Sequence, residues 1–159
     1  MLLFEYAYQR SLCVLFISLI AMTSGLAQTT PAIGSSLTAT EMEIAKTKTK
    51  VEDGKKSIWV LSTGGTASNP FTMVVNEQST VGRSANEVVI TNHSTELTKL
   101  KLTPYLNKTI SVNYFEHLST TVLRFASITD AARAVTELRV AMPDARVSLP
   151  ITYTVPRLR

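Results

Sequence analysis

The sequence predicts an α+β fold, and three observations predict it. From Glu87 onward, short β-branched or alternating segments and two helical segments follow one another as strand, helix, strand, strand, helix, strand. The chain has 159 residues, room for one well-filled core but not two. It is 45% hydrophobic and 18% charged, which excludes a wholly disordered chain and a coiled coil.

The N-terminus reads as an export signal. Met1–Arg10 carries Arg10 as its only basic side chain, and Ser11–Met22 is a short apolar run. Small residues Gly25 and Ala27 then stand where a signal peptidase would cut, so residues 1–27 form a signal peptide. The apolar run, about a dozen residues, is short of the roughly 18–20 that cross a bilayer, so no stable membrane span is expected after cleavage. The expected location is secreted or periplasmic. Cys13, the single cysteine, lies in the removed segment, which excludes an intrachain disulfide and a Cys-based zinc site. The net charge of +4 permits an acidic partner without demanding one, and no stretch interleaves basic and aromatic residues in a nucleic-acid pattern.

Residues 28–56 read as a flexible leader. Their Thr, Ser, Pro and Ala give way to the charge-alternating Glu41–Lys56, which could form a short solvated helix, but its apolar face of Met42, Ile44, Ala45 and Val51 is thin and weak order is expected. Residues 57–85 read as short strands and turns: an apolar run at Ser57–Leu61, another at Phe71–Val75, and a turn at Gly82–Asn86.

A domain is expected over residues 86–157. Glu87–Thr91 is a β-branched run. Ser94 is a candidate cap for a short helix through Leu97, Leu100, Leu102 and Leu106, which Pro104 should end or bend. Ile110–His117 alternates, with Ile110, Val112 and Tyr114 on one face, and the short link Leu118–Thr120 suits a hairpin into Thr121–Ile128. There Leu123 and Phe125 face one way, and Val122, Arg124 and Ala126 the other. Thr129-Asp130 starts the second helix, whose stripe is Ala131, Ala134, Val135, Leu138, Ala141 and Met142, and Pro143 stops it. Val147, Leu149, Ile151, Tyr153 and Val155 then alternate with polar residues as a last strand. Pro150 places that strand at an edge. This is the order of the ferredoxin-like unit, an antiparallel four-stranded sheet in the order 4-1-3-2, with two helices on one face and the other face open.

No constellation predicts catalysis, and no cofactor or metal is expected. Gly64-Gly65-Thr66 lacks the spacing and lysine of a phosphate loop. His93 and His117 have no neighbouring Cys and read as surface or loop histidines. Trp59 reads as a core or docking aromatic, with ligand stacking as the less favoured role. Asn92-His93-Ser94 and Asn107-Lys108-Thr109 match the glycosylation sequon, which matters only in a eukaryotic secretory pathway.

Four stretches carry a resemblance: Asn86–Ile90, Thr121–Phe125, Asp130–Val135 leading to Leu138, and Met142–Val147. Through them, residues 87–157 resemble the inhibitor-type prodomains of subtilisin-like serine proteases. The resemblance implies a folding chaperone and tight inhibitor that docks its open sheet face on the enzyme. It also implies a C-terminal tail laid in the substrate cleft. The tail would be Val155, Pro156, Arg157, Leu158 and Arg159, and the face would present Val122 and Arg124. No protease domain follows, so either a free inhibitor or part of a longer precursor is expected. The competing expectation is an envelope or peptidoglycan-binding module of the same fold.

Overall fold

A computed structural model describes residues 30–154, which form an α+β fold of two antiparallel four-stranded sheets and three α-helices. The expected signal peptide and the tail Val155–Arg159 lie outside the described residues. Among the described residues, no helix is long and apolar enough to cross a membrane.

The segment read as a flexible leader carries structure. Helix α1, Ala39–Lys46, opens on a reciprocal cap: the Thr38 hydroxyl accepts from the Glu41 N–H at 3.3 Å, and the Glu41 carboxylate accepts from the Thr38 N–H at 2.8 Å. Two backbone donors that a helix start leaves unpaired are thereby satisfied. Accepting the Thr38 N–H, and the Thr38 hydroxyl proton as well, holds the Glu41 carboxyl below its usual range. The thin apolar face suffices because Met42 and Ala45 need only cover Val75, beside Trp59 and Leu61.

Strands β1 (Lys50–Asp53), β2 (Lys56–Gly65), β3 (Pro70–Asn76) and β4 (Val81–Ser84) form a meander in that order. One face carries Trp59 and Val75 toward α1, and the other carries Ile58 and Val74 toward the main core. Gly82–Asn86, read as a turn, is mostly strand. Gly82 is needed for close approach, since a Cβ there would meet the Tyr153 ring at 2.7 Å. The chain bends instead at Asn86, a buried residue with φ of 56°, and passes from the first sheet to the second.

The second sheet comprises β5 (Glu87–Thr91), β6 (Thr109–Phe115), β7 (Thr120–Phe125) and β8 (Arg146–Ser148), in the order β6-β7-β5-β8. Helices α2 (Thr95–Leu102) and α3 (Ile128–Ala141) fall between β5 and β6 and between β7 and β8. Val88, Ile90, Leu123, Phe125 and Val147 are buried on the helix side, while Val89, Val122 and Arg124 on the opposite face are only half-buried. The expected register of β7 is therefore present. In β6 a bulge at Ile110 breaks the alternation, leaving Ile110 exposed while Val112 and Tyr114 pack on the core.

Helix α3 starts one turn-fraction earlier than expected. Its cap is Ser127, whose hydroxyl accepts from the Asp130 N–H at 3.1 Å. Ala131, Ala132 and Ala134 keep its surface small, so it fits between the second sheet and β1. Arg139 crosses to Asp53 of β1 at 2.8 Å. Val51, Ile58 and Val74 of the first sheet share one core with Val88, Phe125 and Leu138. Burying a side chain such as Leu138 stabilises by about 1.5–3 kcal/mol.

Two further expectations change. Two of the three leucines of α2 point outward: Leu97 and Leu100 are 56% and 75% exposed, while Leu102 faces inward with Thr95 and Thr98. Lys99, lying over the Tyr114 ring and 3.3 Å from Glu116, accompanies this rotation. Beyond Leu102 the chain tightens into a 3₁₀ turn with Pro104 in its first positions. The last strand is short. It ends at Ser148, Pro150 supplies no donor, and Thr152 instead exchanges two backbone hydrogen bonds with Arg83 at the edge of β4.

Candidate functional site

The helix-free face of the second sheet is the one surface on which two of the sequence-proposed residues meet. Strand pairing sets its rows. Ser111, Arg124 and Glu87 form one, Asn113, Val122, Val89 and Ser148 the next, and Phe115 and Thr120 a third. Period-two alternation puts them all on the side opposite α2 and α3. Val89 and Val122 supply a half-buried aliphatic centre, with exposed Asn113 and Phe115 beside it.

Arg124 is less available than its position suggests. Its Nε donates to Glu87 at 3.0 Å, and its Nη2 donates to the same carboxylate oxygen. Its Nη1 donates to the Ser68 carbonyl at 3.3 Å and to the Asn69 side chain. The two charged side chains are only 26% and 24% exposed, so water screens the pair weakly. A cross-strand pair of opposite charge contributes about 0.2–1 kcal/mol, and its larger effect here is to fix the guanidinium. The β2–β3 loop thus lies against the Arg124 end of the face. The accessible part runs from the Val122 row to Phe115.

Val122 and Arg124 are brought together as expected, but the tail residues Val155, Pro156, Arg157, Leu158 and Arg159 lie outside the described residues. The residues before them, 150–154, leave the second sheet and cross to β4, where the Tyr153 carbonyl passes Gly34 so closely that a Cβ there would come within 2.9 Å of it.

Sequence reasoning missed Glu87, Ser68 and Asn69 as partners of Arg124. The nearest is 37 residues away, and no local pattern reports such a contact. Val89 was within reach: once Val88 is placed inward, alternation places Val89 on the opposite face.

The face offers shape, apolar area and a fixed ion pair. Among the described residues, the hydroxyls of Thr120 and Ser148 on this face donate to backbone carbonyls. Of the two histidines, His93 Nδ1 is 2.8 Å from the Thr98 hydroxyl, and His117 sits in an exposed 3₁₀ turn. Among the described residues, no three His, Cys, Asp or Glu side chains converge as metal ligands would. Comparison with protein-family models, with curated proteins and with solved structures returns no match.

Proposed function

We propose that this chain is an exported, non-catalytic domain that binds a protein partner. The partner proposed is a subtilisin-like serine protease, chaperoned or inhibited in the manner of a prodomain. The observation that carries the reading is the helix-free face centred on Val89, Val122 and Phe115, on a sheet whose other side is closed by α2 and α3. The finer part of the proposal is that β5 to β8 with α2 and α3 make a ferredoxin-like unit, a reading supported by the strand order β6-β7-β5-β8. Binding would draw on desolvation of the aliphatic centre, on the ordered Arg124–Glu87 pair at its border, and on the backbone of edge strand β8. The tail would then add contacts in the enzyme's cleft, with Pro156 limiting the entropy lost on ordering.

The test is inhibition of a panel of subtilisin-like proteases by three proteins: the chain, its Val122→Asp variant, and a version ending at Thr154. The chain is expected to inhibit at least one enzyme. A carboxylate at the centre of the face is expected to weaken inhibition about tenfold or more. Truncation is expected to weaken it further. If every protease simply digests the chain, the prodomain reading fails. Co-sedimentation with purified peptidoglycan would then favour the envelope-binding alternative.

A further inference from the structure

Trp59 lies on the first sheet, on the face turned away from the shared core, and it is the only tryptophan in the chain. The indole rests on Met42, Ala45 and Val75 and remains half-buried rather than sealed. Between α1 and the β3–β4 turn an open cleft of about 520 Å³ gives access to it, bordered by Met42, Glu43, Lys46, Glu77 and Ser79. That volume lies within the range of sites that take small ligands or single side chains.

The charges around the indole are unequal. Glu43 is paired with Lys46 at 2.8 Å. Glu77 accepts only the Ser57 backbone N–H through Oε1, at 3.1 Å, and no cation is paired with it among the described residues. Its second oxygen is left to accept. Two carboxylates therefore face one ammonium beside an aromatic face, a locally negative site on a chain of net charge +4. A cation placed there gains from the ring quadrupole and from the Glu77 charge together. A neutral sugar could stack on the same ring but would leave that charge unused.

We infer that this cleft binds a cationic side chain, arginine or lysine, of a peptide ligand, held over Trp59 and paired with Glu77. The site uses none of Val89, Val122 or Phe115, so it stands independently of the protease reading.

The lone tryptophan makes its fluorescence a report from the cleft itself. The probe is acetyl-Gly-Arg-Gly-amide titrated into the full chain, with acetyl-Gly-Glu-Gly-amide and a trimer of N-acetylglucosamine as the other arms. Calorimetry is run in parallel. The arginine peptide is expected to give a saturable change that added salt weakens. Glu77→Gln keeps the oxygen that accepts from Ser57 and removes only the charge, so the fold is expected to hold by circular dichroism. Its affinity for the probe is expected to fall about fivefold, as for loss of a partly exposed charge contact. Lys46→Gln removes the competing ammonium from an exposed position, and affinity is expected to rise. The inference is overturned if the arginine peptide gives no saturable change, or if the glutamate peptide responds equally. It is also overturned if neither substitution moves the affinity, or if only the sugar trimer binds.

Discussion

Leu138 has no exposed surface and sits mid-way along α3, in the core shared with Val88, Phe125 and Val135. Leu138→Ala removes buried methyl groups from a site walled by two sheets, where neighbours can collapse little. A loss of about 2–5 kcal/mol is expected in urea denaturation. A loss within about 0.5 kcal/mol would mean that the α3 face is not packed as described. This residue was legible, because a helical apolar stripe names its own central position. Asn86 was not. Its polarity suggested a surface turn, yet it is 1% exposed. It can be buried because Thr72 donates to its side-chain oxygen at 2.8 Å, its N–H reaches the Ser84 hydroxyl at 3.1 Å, and its carbonyl accepts from Phe125. Asparagine also tolerates its positive φ. Burial of a polar side chain follows from partners 14 or more residues distant, and composition does not show them.

At the scale of elements, what was legible depended on whether a pattern reports burial or pairing. Strand β7 and helix α3 were readable because their apolar periods match the faces they bury. Helix α2 is legible in place but not in orientation: its leucine spacing marks a helix, yet of those leucines only Leu102 is buried, and Thr98 shares the inward face. Helix α1 carries a local signal of its own, the Thr38 to Glu41 spacing of a capping box. The final alternation from Val147 to Tyr153 shows why a strand pattern can mislead. Leu149 and Ile151 do pack on the core, so the period is real, but the backbone changes partner at Pro150 and joins β4 through Thr152. Thr152→Pro deletes the N–H that Arg83 accepts at 2.9 Å. Losing about 1 kcal/mol of hydrogen bonding there should let the 149–154 segment open more often. Limited proteolysis is expected to cut it about fivefold faster, while cutting within α3 is unchanged. Equal cutting of variant and parent would show that side-chain packing alone holds the segment.

For the whole molecule, the decisive feature is that the two sheets share one main core, apart from the smaller cluster of Met42, Ala45 and Val75 under α1. Helix α3 touches both, Arg139 ties it to Asp53, and the C-terminal segment ties β8 to β4. These links converge near Tyr153. Its ring packs where Gly82 leaves room, its carbonyl passes Gly34, and its phenol feels the Asp53 carboxylate. Burial first, and the Asp53 charge second, raise its pKa above the ordinary 10.0. The native state therefore holds the phenol proton more tightly than the unfolded chain. Below the ordinary tyrosine value both states are protonated and stability is complete. As pH rises through that value the unfolded chain releases the proton first, so the native state loses ground. Tyr105, raised by burial and by Glu137, acts with the same sign. The urea midpoint is expected to fall between about pH 8 and about pH 11. Tyr153→Phe keeps the ring over Gly82 and removes the proton, so its midpoint is expected to fall less, though not to stay level while Tyr105 remains. If both proteins lose the same amount, the junction between the sheets does not depend on the neutral phenol, and the alkaline loss belongs to groups elsewhere in the chain.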